Sequence, residues 1–352
     1  MPKVSVILTS FNHEKYLRDA IDSVLHQTFA DFELIIWDDA SSDSSWDIIT
    51  SYADQRIRPV RNETRRRATW GLNKAITEVA RGELIAIHHS DDVWEPSKLE
   101  RQVAFLGANI ATGAVFTRTS AIGEDGAPLA ENHHFYSSIF EQPNRSQPEW
   151  LNQFFYRGNV LCHPSALIRR ECFKACGGYR PGFGQLGDLD MWVRLCLKYP
   201  IHVLPEKLVR FRVRENEANT SGNKPEAIIG AAFEYYLVIR NYLAIDSPQT
   251  LFQVFPQMEG RFTKDPRTIE FVLAMAALEA RGNHAKLFAM ESLFNILQSP
   301  EKAQAVQELY GFDHSALVRI TSRFDVFSEK RPAFYSWRVA KIIRATVRRI
   351  WR

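Results

Sequence analysis

The chain has 352 residues, of which 45% are hydrophobic and 24% charged, a globular composition that excludes a disordered chain or a fibre. The length indicates two domains, or one large domain with an appendage. The formal net charge of +3 gives no reason to expect a nucleic-acid partner. The charge is unevenly distributed, because the stretch 331–352 carries seven basic side chains and no acidic one.

The sequence gives no sign of export or of a membrane span. No apolar run approaches the roughly 20 residues that a helix needs to cross a bilayer. Residues 1–12 hold one lysine and a short apolar stretch, so we do not expect a signal peptide. Four cysteines form neither a CxxC pair nor a zinc spacing, which favours buried, reduced thiols in a cytoplasmic protein.

The first hundred residues predict alternating strands and helices. Short apolar runs bounded by polar turns predict buried strands at 4–8, 33–37, 57–60 and 84–88. Apolar residues at helical spacing predict helices at 17–25, 46–53 and 72–79. The order strand, helix, strand, helix predicts an α/β fold with a mostly parallel central sheet and right-handed crossovers.

The remainder of the chain predicts a less regular middle and a helical end. Glycines and prolines among polar residues predict a long connection over 120–150. Beyond it the patterns predict a strand at 165–169, helices at 170–175 and 188–196, and strands at 201–204 and 208–213. Helical patterns dominate from about Lys224, so we place one domain at 1–222, an all-α extension at 223–330 and a basic amphipathic helix at 331–352.

Three polar clusters follow three of the predicted strands. They are TSFN at 9–12, DDAS at 38–41 and HHSDD at 88–92. Ligands bind beyond the carboxyl ends of the strands in an open parallel sheet, so the clusters predict one carboxylate-rich crevice. Neither GxGxxG nor GxxxxGK occurs, so no glycine cradle for a dinucleotide or a triphosphate is indicated.

The pair Asp91-Asp92 is suited to a divalent cation that bridges the protein and a diphosphate. Mg²⁺ and Mn²⁺ prefer oxygen ligands, and a tight turn can direct one carboxylate to the metal and the other to a ribose hydroxyl. Such a pair alone is more often a helix cap or a turn, and the same alternative holds for Asp38-Asp39. The convergence of the clusters is what favours a site.

Three blocks of sequence resemble the family 2 glycosyltransferases, which are inverting enzymes of the GT-A fold. The blocks are VSVILTSFNHEKYLRDAIDSVLHQTFADFELIIWDDASSD, GLNKAITEVARGELIAIHHSDDVWEPSKLERQV and GDLDMWVRL. The resemblance covers residues 2 to about 215 in consistent order. It implies that a nucleotide-diphosphate-sugar donor binds at the carboxyl ends of the first strands, with Mn²⁺ or Mg²⁺ as the cofactor.

The resemblance also implies roles for single residues at the donor site. Thr9 and Phe11 border the base, where the family usually has Pro and Tyr, and Asp39 hydrogen-bonds the base edge. Asp91 faces the ribose, and Asp92 coordinates the cation. The family has an acid at the first position of its D-x-D-D motif, and this sequence has a histidine there. Three further residues are expected to line the site: His89, His163 and Asn73.

Asp188 occupies the place of the family's catalytic base, although the family's preceding acid is Gly187 here. Inversion at an anomeric carbon needs one in-line displacement and one base on the acceptor side. An aspartate is ionised at neutral pH and can take the proton of an acceptor hydroxyl. The alternative is a helix N-cap with an acid in the first turn. We expect Asp190 to be structural.

Several basic residues leave two interpretations open. Arg210, Arg212 and Arg214 alternate along a predicted strand, so they share one face and either meet the diphosphate or lie solvated on the surface. We take Arg212 as the donor-binding candidate. The run Arg65 to Arg67 is either a solvated loop or an electrostatic funnel for an anionic donor.

The stretch 331–352 predicts a basic amphipathic helix. It has an apolar stripe, basic residues along much of the opposite side, and tryptophans at 337 and 351. Such a helix is typical of one that lies on an anionic bilayer surface. The alternative is a helix that docks on its own helical domain.

The sequence therefore predicts a metal-assisted, inverting glycosyltransferase that acts on a glycan or a lipid-linked oligosaccharide, in the assembly of O-antigen, capsule or exopolysaccharide. We expect it in the cytoplasm, peripherally on the inner face of the membrane. A nucleotidyltransferase-like protein is an enzyme alternative, but the loop at 8–12 lacks the glycine-rich, basic character that triphosphate binding favours. A non-catalytic module that binds a nucleotide sugar or a glycan is the other alternative, supported by Gly187 and His89.

Overall fold

The computed structural model describes residues 1–130, 135–214 and 225–327. The chain divides into two compact units, one of residues 1–150 and 158–228, the other of 151–157 and 229 onwards. The predicted boundary between 222 and 223 and the predicted basic helix at 331–352 lie outside the described residues. In the described ranges, no helix is both long and apolar enough to cross a membrane.

The first unit is built on a single sheet, which has eight strands within the described residues. In chain order the strands are β1 Val4–Ser10, β2 Phe32–Asp38, β3 Ile57–Arg61, β4 Leu84–His89, β5 Val93–Trp94, β6 Ala114–Ile122, β7 Leu167–Arg169 and β8 Ile201–Arg212. In space their order is β3-β2-β1-β4-β7-β6-β8-β5. Only β5 and β7 run against the other strands, which confirms the mostly parallel α/β fold.

Helices connect these strands and form the C-terminal region. The earlier ones are α1 Leu17–Leu25, α2 Ser45–Thr50, α3 Ala68–Lys74, α4 Lys98–Ala108, α5 Phe135–Ile139, α6 Gln147–Arg157, α7 Arg170–Ala175 and α8 Gly187–Cys196. The later ones are α9 Pro225–Ile239, α10 Pro248–Val254, α11 Ile269–Glu279, α12 Asn283–Gln298, α13 Pro300–Tyr310 and α14 His314–Thr321. The helical character expected from about Lys224 is confirmed over 225–327.

The parallel strands bring the three polar clusters together. In the register of the sheet, Ser10 at the end of β1 pairs with Asp38 at the end of β2. On the other side of β1, Thr9 pairs with His89 at the end of β4. The apolar side chains of these strands are buried, as continuous apolar runs predict for strands covered on both faces. The convergence predicted from the sequence is confirmed.

The later strands differ from the prediction in three places. Strand β6 was not predicted, and its last three residues lie in the region 120–150 that was expected to be a long connection. Strand β7 covers only 167–169, because 163–165 form a single 3₁₀ turn. The strands predicted at 201–204 and 208–213 are one strand, β8. Its register against β6 shifts on either side of Arg118, and the resulting bulge accommodates Pro205, which has no N–H to donate.

Candidate functional site

The loops after β1 and β2 are fixed to each other by hydrogen bonds. The backbone N–H of Asp39 donates to the carbonyl of Ser10 at 2.9 Å. The Asn12 side chain accepts from the backbone N–H of Ser42 at 2.8 Å, and the Asn12 N–H donates to the Ser41 hydroxyl at 3.0 Å. Asn12 has φ of 54°, a left-handed conformation that asparagine tolerates better than most residues. This edge of the sheet is therefore preorganised.

The carboxylate of Asp39 is buried and holds the loop that precedes α3. One oxygen accepts from the Asn62 side chain and from the backbone N–H of Arg66, both at 2.7 Å. The other accepts from the backbone N–H of Arg67 at 2.7 Å. A carboxylate has about four acceptor positions, so about one remains for a ligand. The base contact implied for Asp39 stays a prediction, and the structure adds this role in the loop.

The run Arg65 to Arg67 is exposed, and its first member lies on an aromatic ring. The guanidinium carbon of Arg65 is 3.9 Å from the centre of the Phe11 ring, a cation–π contact. Thr9 lies at the adjoining end of β1. A cavity of about 400 Å³ is lined by residues 40 and 61–63, which lie close to this run in the sequence. The base-lining roles of Thr9 and Phe11 stay predictions.

The acidic turn after β4 forms a cluster with His89. One ligand atom each from His89, Asp91 and Asp92 lie within 4.8 Å of one another. Asp92 is only 1% exposed, and its Oδ1 accepts from the backbone N–H of Arg212 at 2.8 Å. Its Oδ2 has no hydrogen-bond partner among the described residues. Burial, with the charge of Asp91 as a second cause, raises the pKa of Asp92 well above its usual value.

This cluster fits a divalent cation. A buried carboxylate oxygen without a partner is unfavourable, because nothing replaces the water that it has lost. A cation beside Asp92 Oδ2 would satisfy that oxygen and would favour the ionised carboxylate. Two carboxylates and an imidazole nitrogen are a donor set that divalent metals accept.

A line of hydrogen bonds leads away from the cluster through His89. Its Nε2 is 3.1 Å from Nδ1 of His163, and Nε2 of His163 is 2.8 Å from the Tyr179 hydroxyl. Burial lowers the pKa of both histidines and raises the pKa of Tyr179 well above its usual value. Asn73 holds the backbone of Tyr179 through two hydrogen bonds, at 2.7 and 3.0 Å. The structure thus places Asn73 behind Tyr179, and site-lining roles for these residues stay predictions.

The candidate base lies in the first turn of α8. Oδ2 of Asp188 accepts from the Asn159 side chain at 2.6 Å, and Oδ1 accepts from the backbone N–H of Leu189 at 2.7 Å. Two residues on, Asp190 is fully buried, and its Oδ2 accepts from Nε and Nη2 of Arg194, at 2.9 and 2.6 Å. Asp190 therefore has the structural role expected of it. Nothing in the sequence indicated Asn159.

The three arginines near the end of β8 have different environments. Arg212 is 2% exposed, so a solvated position is wrong for this residue. Its Nε donates to the carbonyl of Asp91 at 2.7 Å, and its Nη1 to the carbonyl of Glu124 at 2.9 Å. Arg210 pairs with the Glu95 carboxylate at 2.6 Å. Donor binding by Arg212 stays a prediction, and its contacts within the protein add a structural role.

Arg214 belongs to a second group of contacts that the sequence did not indicate. Its Nη1 is 2.9 Å from Nε2 of His13, and Nδ1 of His13 is 2.8 Å from the Ser90 hydroxyl. His13 thus connects the loop after β1, the turn after β4 and the end of β8. It had no motif of its own in the sequence.

Comparison with known proteins agrees with this fold. The profile of Glycosyl transferase family 2 matches residues 5–177. TuaG of Bacillus subtilis, described as a teichuronic acid biosynthesis glycosyltransferase, is 39% identical over 237 residues, which are 66% of this chain and 87% of TuaG. WfaP of Escherichia coli is 36% identical over 106 residues, 30% of this chain and 42% of WfaP. Its name is UDP-Glc:alpha-D-GlcNAc-diphosphoundecaprenol beta-1,3-glucosyltransferase.

A solved structure has a similar fold. S. aureus TarS 1-349, crystallised with UDP-GlcNAc, superposes with a TM-score of 0.58 at 16% identity, covering 99% of this chain and 92% of that one. The mixed sheet and these matches define a glycosyltransferase of the GT-A fold. The chain belongs to glycosyl transferase family 2.

Proposed function

We propose that this protein transfers a sugar, with inversion and with help from a divalent cation, from a nucleotide-diphosphate sugar to a hydroxyl group. The acceptor is a glycan or a lipid-linked oligosaccharide of a bacterial surface polysaccharide. The names of the relatives support this acceptor class, because TuaG is assigned to teichuronic acid and WfaP acts on a sugar linked to diphosphoundecaprenol.

The observation that carries the proposal is the buried Oδ2 of Asp92, which has no hydrogen-bond partner in the described part of the chain. It lies at the sheet edge where the family places the diphosphate of the donor. Asp92 and Asp91, with His89 beside them, are the residues that would hold a cation. A bound cation supplies a positive charge that offsets the negative charge of the departing diphosphate.

The residues of the chain account for the other parts of the reaction. The remaining acceptor position of Asp39 suits one N–H of a base, and Asp91 suits a ribose hydroxyl. As the acceptor oxygen bonds to the anomeric carbon and the bond from that carbon to the diphosphate breaks, Asp188 takes the acceptor's proton. Asn159 donates to Asp188 and so fixes the orientation of its carboxylate.

The experiment compares the wild type, Asp188→Asn and Asp31→Asn with a panel of nucleotide sugars and Mn²⁺. Asp31 is exposed immediately before β2 and is the matched control. General-base catalysis typically contributes about 10²–10⁴-fold, so we expect a rate loss of that size in Asp188→Asn alone, with nucleoside-diphosphate binding retained. NMR of the product should show the opposite anomeric configuration to that of the donor.

Three results would each contradict a part of the proposal. Full transfer by Asp188→Asn would exclude this aspartate as the base. Binding of nucleotide sugars by the wild type, with no transfer to any of the acceptors, would favour the non-catalytic module. A retained anomeric configuration would refute inversion while leaving the transferase class intact.

We propose that the stretch 331–352 holds the protein at the inner face of the cytoplasmic membrane. The proposal depends on its seven basic residues and its apolar stripe. Truncation after Lys330 should move the protein from the membrane fraction to the soluble fraction. A truncated protein that still sediments with membranes would contradict this and would favour a helix that docks on its own domain.

A further inference from the structure

His89 changes the chemistry of the candidate cation cluster. It offers an imidazole nitrogen where the family motif has a carboxylate, and its Nδ1 lies 3.6 Å from Oδ2 of Asp92. That separation is too long for a hydrogen bond, so Nδ1 is not committed to Asp92. The Asp92 oxygen is equally without a partner in the described ranges. Two potential ligand atoms thus face each other across a gap.

The hydrogen bonds on the other side of the ring are consistent with a metal-binding tautomer. When Nε2 of His89 donates to Nδ1 of His163, Nε2 of His163 in turn donates to the Tyr179 hydroxyl oxygen. Both imidazoles are then neutral, and the lone pair of His89 Nδ1 faces Asp92. A histidine that binds a metal commonly donates its other N–H to such a partner, which fixes the tautomer and the ring.

The spacing of the cluster suits one ion. Ligand atoms about 2.1 Å from an octahedral ion lie about 3 Å apart when adjacent and about 4.2 Å apart when opposite. The three candidate atoms of His89, Asp91 and Asp92 lie within 4.8 Å of one another, so a small contraction brings all three into range.

Resting on the proposed function, we propose that His89 Nδ1 is a nitrogen ligand of the cation, and that this ligand makes the protein select a first-row transition metal over Mg²⁺. Mg²⁺ prefers an all-oxygen environment, whereas imidazole nitrogen suits the softer transition metals. His163 and Tyr179 are positioning residues, because they hold the ring of His89 without contacting the metal. The backbone of Tyr179 is held in turn by Asn73.

The first test is pulsed electron paramagnetic resonance of the full chain with Mn²⁺ and inorganic pyrophosphate, a probe that contains no nitrogen. A directly bound imidazole should give a ¹⁴N hyperfine coupling to Mn²⁺. The coupling should disappear in His89→Asp and persist in His202→Gln, since His202 stacks on Phe105 at the other end of β8. Bound Mn²⁺ without this coupling, or wild-type protein that binds no Mn²⁺, would overturn the proposal.

The second test measures selectivity by calorimetric titration with Mn²⁺ and with Mg²⁺. His89→Asp restores an all-oxygen set, so the ratio of Mn²⁺ to Mg²⁺ affinity should fall about tenfold or more. His163→Phe should weaken Mn²⁺ binding about 10–100-fold, the usual effect of losing a partner that orients a ligand. The melting temperatures of His89→Asp and the wild type, both measured without metal, show whether the variant is folded. An unchanged ratio of Mn²⁺ to Mg²⁺ affinity in a folded His89→Asp would overturn the proposal.

The outcome is separable from that of the proposed function. Nitrogen coupling in a protein that transfers no sugar would refute the transferase proposal and leave the ligand assignment standing. Sugar transfer by a protein whose bound Mn²⁺ shows no nitrogen coupling would support the transferase proposal and refute the ligand assignment.

Discussion

Replacing Arg212 by methionine should strongly destabilise the first unit. The variant keeps much of the side-chain volume but removes donors to the carbonyl of Asp91 at 2.7 Å and to the carbonyl of Glu124 at 2.9 Å. Each acceptor that is left buried without a partner costs about 1–3 kcal/mol. The ion pair with Asp19 adds little, because that carboxylate is exposed. We therefore expect a loss of about 2–6 kcal/mol in the free energy of unfolding, which is the cost of the two acceptors together.

Arg210→Met is the matched control on the same strand. Arg210 is 44% exposed and pairs with the part-exposed Glu95, so its loss should cost at most about 1 kcal/mol. For a unit of this size, 1 kcal/mol corresponds to about 2–4 °C in melting temperature. The melting temperature of Arg212→Met should therefore lie several degrees below that of Arg210→Met, and urea unfolding should give the same order of stability. Equal melting temperatures would refute the structural role of Arg212, and a selective rise in the donor KM would then favour donor binding.

Three further predictions concern the first unit. Gly82→Ala should lower the free energy of unfolding by about 1–3 kcal/mol, because its Cβ would lie 2.5 Å from a backbone nitrogen of β1. Gly107 is the control, because a Cβ there would have no atom within 4 Å, and Gly107→Ala should raise the free energy of unfolding by about 0.5–1 kcal/mol. Equal effects of the two substitutions in urea unfolding would contradict this reasoning. Burial holds the pKa of His88 well below its usual value, so the unfolded state binds the proton more readily as the pH falls below about 6.5. Wild-type stability should consequently fall by up to about 1.4 kcal/mol per pH unit more than that of His88→Phe, and parallel stability curves from pH 7 to 5 would exclude this. Asn159→Ala should lower kcat about 10–100-fold with the donor KM unchanged, because only the orientation of the candidate base is lost. An unchanged kcat in a steady-state assay would contradict that role.

The sequence was sufficient for the elements whose burial leaves a continuous pattern. Strands β1, β2 and β4 are apolar runs because both of their faces are covered, and the short helix α7 was predicted at its observed bounds. The convergence of Thr9 and Asp38 with the turn after β4 followed from parallel topology alone. The sequence therefore placed the carboxylates that follow β2 and β4 at one edge of the sheet.

The features that could not be predicted from the sequence depend on polar residues inside a buried strand and on contacts between residues far apart in the chain. Strand β6 contains Thr117, Arg118 and Thr119, which interrupt its apolar run and concealed a strand in the middle of the sheet. One side-chain partner of Asp188 is Asn159, 29 residues away in the chain. Arg212 lies on the predicted strand, but only the fold shows that its side chain is enclosed rather than solvated.

The backbone of Arg67 has a consequence for protein engineering. Its φ of 71° and ψ of 154° belong to a region that is almost reserved for glycine and that costs other residues about 1–3 kcal/mol. Glycine would relieve the strain, so a library screened for heat resistance alone should enrich glycine at this position. The same selection would remove a guanidinium from the loop that Asp39 holds. If the run Arg65 to Arg67 attracts an anionic donor, selection for thermostability would weaken that attraction at this position.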